Sequence, residues 1–269
     1  MELTLLFLTL SVAFAAVLVF LTSLAVWQAL LLGLLCYILL YVLVLAILYI
    51  ASMQVDRSKP IEKQQAMCRA GVGYVIDALC VHSGVRAHFT GLEKLPETER
   101  FYLVCNHRSM FDPCLVMAKL RRWNISFISK PANLQIPVIG RIAYAAGFLS
   151  IDRENNREAL KTILAAADYL KRDVCSMGVY PEGTRSKDGN MLPFHAGCFK
   201  VAQRAGVPVV VAAVYGTEKV VKNIPFKRTD AYMDILEVIP AERVKAMSTN
   251  DLSDYCRALM QAKLDEVGV

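Results

Sequence analysis

The longest uninterrupted apolar stretch opens the chain. From Leu3 to Met53 there is no charged residue. A bilayer core takes about 20 helical residues, so an uncharged run of roughly 50 is too long for one span and long enough for two. Polar and interface-favouring residues gather between Leu21-Thr22-Ser23 and Trp27-Gln28. This pattern predicts helices over about 3–22 and 28–52, joined by a tight turn into a transmembrane hairpin. A hairpin dipping into one leaflet and a kinked single span are the alternatives. A secretory signal does not fit, because Met1-Glu2-Leu3 lacks a basic start and the run is far too long. Arg57, Lys59 and Lys63 follow the second helix, and such a basic flank is expected on the cytoplasmic side.

Beyond residue 53 the pattern shortens and alternates. Ile61, Met67, Val72, Val75, Ile76 and Leu79 recur at helical spacing, so Pro60 to His82 reads as an amphipathic helix within a connecting segment, 54–84. Strands are expected at 85–89, 100–105, 126–128, 148–151, 177–180, 207–215 and 232–239, and helices at 113–121, 138–146, 154–172, 197–205 and 250–266. Strand–helix alternation argues an α/β fold with a central, mostly parallel sheet flanked by helices. Ligands are expected at the C-terminal ends of its strands.

Those ends carry the candidate chemistry. Asn106-His107-Arg108-Ser109-Met110-Phe111-Asp112 follows the second strand. A carboxylate on one imidazole nitrogen fixes the tautomer and stabilises the imidazolium formed when the other nitrogen takes a proton. Five residues of loop are enough for Asp112 to turn back onto His107. The plainer reading makes Asp112 an N-cap, with Pro113 at the first helical position. Later strand ends bring Lys130, then Asp152-Arg153, then Pro181-Glu182-Gly183-Thr184-Arg185-Ser186. Gly183 lets a backbone approach a ligand closely, Thr184 adds a hydroxyl, and Arg185 can grip a phosphate with two parallel bonds. Singly, each has an ordinary reading as a surface lysine, a helix-start ion pair or a plain turn. Together at successive strand ends they point to one site.

Charge and cysteine content narrow the classes. The net charge is +6, and Glu2 is the sole charge before Asp56, so the basic balance belongs to the part behind the apolar stretch. This suits an anionic leaflet or phosphorylated substrates. No concentrated Lys/Arg stripe points to nucleic acid. The eight cysteines are scattered singly, without Cys-x-x-Cys, and read as free thiols. Cys105 is close enough to His107 to raise a nucleophile reading, though core burial fits its strand better. No metal-ligand spacing occurs.

The His107-x-x-x-x-Asp112 spacing resembles the first motif of the glycerolipid acyltransferases, typified by the 1-acylglycerol-3-phosphate (lysophosphatidic acid) acyltransferases. Gly147-x-x-x-Ile151-Asp152-Arg153 is similar to their second motif, with Ser150 where Phe is usual. Pro181–Ser186 looks like the third motif intact. Val207-Pro208-Val209-Val210-Val211 resembles the fourth, with Ala212 or Ala213 where a second proline is common. Phe194-x-x-Gly197 also fits the family. The resemblance covers about 85–220, inside an expected acyltransferase domain 85–269 that follows membrane helices over 1–53.

The resemblance implies that His107 and Asp112 are the catalytic pair. Arg153 and the loop Glu182, Gly183, Thr184 and Arg185 would then hold the acceptor's phosphate, and Lys130 joins them on its strand-end position alone. It implies transfer from acyl-coenzyme A or acyl carrier protein to lysophosphatidate, with no cofactor beyond that donor and no metal. Backbone N–H groups or a helix N-terminus near Asn106–Ser109 or Gly183 are candidate oxyanion donors, and the sequence alone does not choose among them. Another acceptor with the same chemistry, a Cys105 acyl-enzyme and a non-enzymatic lipid-binding membrane protein are the competing readings.

Overall fold

Two helices lead the chain in the computed structural model, which describes residues 2–152, 154–186 and 189–269: α1 (Glu2–Leu21) and α2 (Val26–Met53). Their mean hydropathies reach 2.6 and 2.9. They cross where side chains are small. A Cβ on Gly33 would lie 3.0 Å from both Ser11 O and Ala15 Cβ. Close backbone approach at small residues is how apolar helices associate without a hydrophobic driving force. Their outer faces leave Leu5, Phe14, Leu31, Leu39, Leu45 and Ile50 exposed, a surface suited to a bilayer.

Helix α3 (Ala66–His82) lies along this hairpin. Gly71 accommodates Leu48, the Tyr74 ring sits 5.8 Å from Tyr41, and His82 Nε2 is 2.8 Å from the Tyr37 hydroxyl. The helix begins six residues later than the periodicity suggests. Gln64 is drawn instead into tertiary bonds, its Nε2 donating to Ala146 O at 2.7 Å and Ser126 Oγ at 3.0 Å. The Gln65 N–H is tied to Ala145 O at 3.0 Å.

The rest follows in order as β1 (Val85–Thr90), β2 (Tyr102–Cys105), α4 (Asp112–Lys119), β3 (Ser126–Ser129), α5 (Pro131–Gln135), α6 (Ile139–Ala145) and β4 (Leu149–Ser150). Then come α7 (Asn156–Lys171), β5 (Met177–Val179), α8 (Lys200–Ala205), β6 (Val209–Tyr215), α9 (Val220–Asn223), β7 (Thr229–Ile239), α10 (Ala241–Ala246) and α11 (Thr249–Glu266). The short helices α5, α9 and α10 leave no periodic trace in the sequence. Helix α7 starts at a built cap, Asn155 Oδ1 accepting from the N–H groups of Arg157 and Glu158 at 3.1 and 3.2 Å.

Among the described residues seven strands form one sheet in the order β1-β7-β6-β2-β5-β3-β4. Strands β6, β2, β5, β3 and β4 are mutually parallel, as expected. The departure is at one edge: β7 is antiparallel to β6, and β1 pairs parallel with β7. Both therefore run opposite to the other five, and the C-terminal end of β1 lies away from the site.

β2 is buried on both faces, which explains its unbroken apolar run. Tyr102 and Val104 face a core with Met177, Val211, Tyr169 and Met260. Leu103 and Cys105 face a second core with Leu115, Phe127, Val214 and Met233. Filling both sides holds the end of β2, and the loop that leaves it, in one place.

Candidate active site

β2 lies between β5 and β6, so the loops after those two strands flank the loop after β2. The ladder with β6 is carried one residue past its end by a side chain. Asn106 Nδ2 donates to Val214 O at 2.8 Å, and its Oδ1 accepts from Val214 N–H at 2.7 Å. The next residue, His107, leaves the sheet at a fixed angle.

Asp112 turns back onto His107, whose Nδ1–H donates to Asp112 Oδ2 at 2.8 Å. The same oxygen accepts the N–H groups of Arg108 and Ser109 at 2.7 and 2.8 Å. Thr217, just past the end of β6, donates its hydroxyl to Oδ1. Asp112 is fully buried, and His107 keeps 18% of its side chain exposed. His107 Nε2 has no hydrogen-bond partner among the described residues. The helix-cap reading of Asp112 gives way: Phe111 holds the N-cap position, and the carboxylate serves the loop and the imidazole.

Glu182 has a different place from the acceptor-holding one the motif implies. It is buried, and both oxygens are engaged. Oε1 accepts the His107 N–H at 2.5 Å, and Oε2 accepts the Leu192 N–H at 2.8 Å. Burial pushes its carboxyl above the usual range, against the pull of those two donors. A second carboxylate beside a phosphate would repel it; turned inward, it braces the histidine's backbone. The Ser186 N–H donates to His107 O at 3.0 Å, so the loop after β5 grips His107 on both sides of its α-carbon.

Gly183 sits at φ +74°, the left-handed turn that lets Glu182 point in while Thr184 and Arg185 point out, both exposed. Lys130 is exposed at the end of β3, one strand beyond β5. Arg153 lies outside the described residues. The expected oxyanion donors are altered as well. The N–H groups of His107, Arg108 and Ser109 are all spent on carboxylates. The Gly183 N–H donates to Tyr180 O at 3.0 Å. Those of Thr184 and Arg185 have no partner among the described residues.

Thr217 and its neighbour Glu218 escaped the sequence reading. Glu218 Oε2 lies 3.3 Å from Arg108 Nε in a mostly buried ion pair. The signal was available, since they follow β6 as the other candidates follow their strands, but no motif marks them. Cys105 is removed from contention as a nucleophile. It is fully buried, and burial holds its thiol well above its ordinary value.

Residues 86–215 match the protein family described as Acyltransferase. The chain is 32% identical over 167 residues to the 1-acyl-sn-glycerol-3-phosphate acyltransferase of Salmonella typhimurium, covering 61% of this chain and 66% of that protein, just under two thirds of its length. It is 27% identical over 196 residues to the human 1-acyl-sn-glycerol-3-phosphate acyltransferase beta, covering 71% of this chain and 69% of that one. The crystal structure of the 1-acyl-sn-glycerophosphate (LPA) acyltransferase PlsC from Thermotoga maritima superposes with a TM-score of 0.59 at 22% identity. That match covers 83% of this chain and 88% of the other.

Proposed function

The chain belongs to the acyltransferase family, and on that premise we propose that it transfers a fatty acyl group from an acyl thioester to the free hydroxyl of 1-acyl-sn-glycerol 3-phosphate, forming phosphatidic acid. The observation that carries the reading is the His107–Asp112 pair, with a buried carboxylate on Nδ1 and an Nε2 that has no partner among the described residues. His107 Nε2 takes the hydroxyl proton as the acceptor oxygen attacks the thioester carbonyl. The tetrahedral intermediate then expels the thiolate, which recovers the proton from the imidazolium. Asp112 keeps Nδ1–H pointed inward and offsets the positive charge.

Arg185, with Lys130 and Arg153, supplies the cations for the acceptor's phosphate. The Thr184 and Arg185 N–H groups are candidate backbone donors for the oxyanion. Donor carriers consistent with this chemistry are coenzyme A and acyl carrier protein, and no cofactor is required.

The test is labelled phosphatidate formed from 1-oleoyl lysophosphatidate and oleoyl-coenzyme A by purified protein in detergent. Arg185→Ala is expected to raise the acceptor KM by about 10- to 100-fold, the worth of one or two charge-assisted bonds, with the donor KM little changed. An unchanged acceptor KM removes Arg185 from the phosphate site. No phosphatidate with either donor carrier defeats the reading of the acceptor.

The apolar hairpin associates the protein with a membrane. Arg57, Lys59 and Lys63 are exposed just past α2, which supports a catalytic part on the cytoplasmic face. Protease added to sealed inside-out vesicles should then degrade residues beyond α2, and added to right-side-out vesicles should not. Degradation only from the outside reverses the orientation.

A further inference from the structure

The His107 imidazole lies flat on another ring. Its centroid is 4.2 Å from that of Tyr180, with the planes 19° apart. The Tyr180 ring also stacks with that of Phe127, the centroids 5.2 Å apart and the planes at 3°. Strand register explains the stack. Phe127 of β3 pairs with Gly178 of β5, and a Cβ there would come within 2.4 Å of the Phe127 ring, so the missing side chain lets that ring lie across β5. Tyr180 follows two residues later and shares the second core with Phe127 and Cys105. On the other side, Leu103 of β2 pairs with Gly178, which brings His107 out of its strand just beyond the level of Tyr180.

The Tyr180 hydroxyl does not account for this arrangement. The residue is 8% exposed, and its buried oxygen has no hydrogen-bond partner among the described residues. A phenylalanine would fill the same space without leaving a polar group unsatisfied. What remains is the face of the ring.

We propose that Tyr180 is a positioning residue for acyl transfer: its ring, backed by Phe127 over Gly178, holds the His107 imidazole in place and stabilises the imidazolium formed during the reaction. The inference rests on the reading of His107 as the base. A cation is attracted to an aromatic face, whereas a neutral imidazole gains much less from it. The contact therefore strengthens as the acceptor's proton reaches Nε2, and weakens again when the leaving thiolate takes that proton. An interaction made mainly in the transition state raises kcat and leaves substrate KM values nearly alone.

Full-length Tyr180→Leu, Tyr180→Met and Tyr180→Phe are assayed beside wild type in detergent with lysophosphatidate and oleoyl-coenzyme A. Leu and the similarly sized, unbranched Met should each lower kcat by about tenfold, with both KM values within about twofold of wild type. Tyr180→Phe should retain most of wild-type kcat, because the ring face is kept. An arm that needs no turnover uses the His107 ring-proton NMR signals, identified by their loss in His107→Ala. They should be displaced upfield in wild type and Tyr180→Phe, and relax in Tyr180→Leu and Tyr180→Met. Wild-type kcat in the Leu and Met variants overturns the proposal. So does a fall in Tyr180→Phe equal to theirs, or His107 signals indifferent to residue 180. A wild type that forms no phosphatidate defeats the acceptor reading alone, and the ring-proton arm still decides whether the stack holds His107.

Discussion

His107→Ala is expected to lose about 10²–10⁴-fold in kcat, the usual worth of a positioned general base, while folding normally. Among the described residues its side chain makes one hydrogen bond, from Nδ1–H to Asp112. Removing it leaves Asp112 with the Arg108 and Ser109 N–H groups and the Thr217 hydroxyl. The backbone of residue 107 stays held by Glu182 and Ser186. No buried group is orphaned, so the melting temperature should move little while phosphatidate formation collapses. Measuring both on one preparation separates chemistry from folding. Full activity in His107→Ala would reduce the His107–Asp112 pair to a loop brace and end the case for it as a base.

Substitutions of Asp112 should divide by how much of the carboxylate they keep. Asp112→Ala removes the acceptor of four donors in a fully buried position. Breaking such a buried charged centre costs roughly 3–5 kcal/mol. In a chain of this size that lowers the melting temperature by on the order of 10 °C. Activity falls at least as far as in His107→Ala. Asp112→Asn keeps one carbonyl oxygen for the His107, Arg108 and Ser109 donors, and its amide can donate to the Thr217 oxygen, which rotates to accept. That variant should melt near wild type yet lose about 10²–10⁴-fold in kcat, because nothing offsets the imidazolium. A stable, fully active Asp112→Asn would mean that the carboxylate's geometry matters and its charge does not. A large melting shift in both variants would mean that Asp112 acts chiefly as the loop's scaffold.

The organisation of the site was legible because it is local. A fully buried strand, a histidine at its end and an aspartate five residues on lie within one stretch of chain. The Pro181–Ser186 turn is equally local. The apolar leader needs no tertiary information either, because its length and lack of charge alone exceed what a single soluble helix requires. Where the reading went astray, the deciding partner was distant in sequence. Glu182 looks like a ligand-facing acid within its own turn, and becomes a brace only because the His107 N–H arrives from β2, 75 residues earlier. The backbone groups of residues 107–109 look like oxyanion donors until Glu182 and Asp112 claim them.

By itself, the sequence determined the alternation of strands and helices, the apolar hairpin, the strand ends that carry polar chemistry and the spacing that lets Asp112 reach His107. Each follows from side-chain periodicity or from a few consecutive residues. Only the tertiary structure decided that β7 and β1 run against the other strands, that Thr217 closes on Asp112 and that Phe127, Tyr180 and His107 stack as three rings. Strand order and register decide which loops stand side by side, and they depend on how both faces of the sheet are filled by residues far apart along the chain.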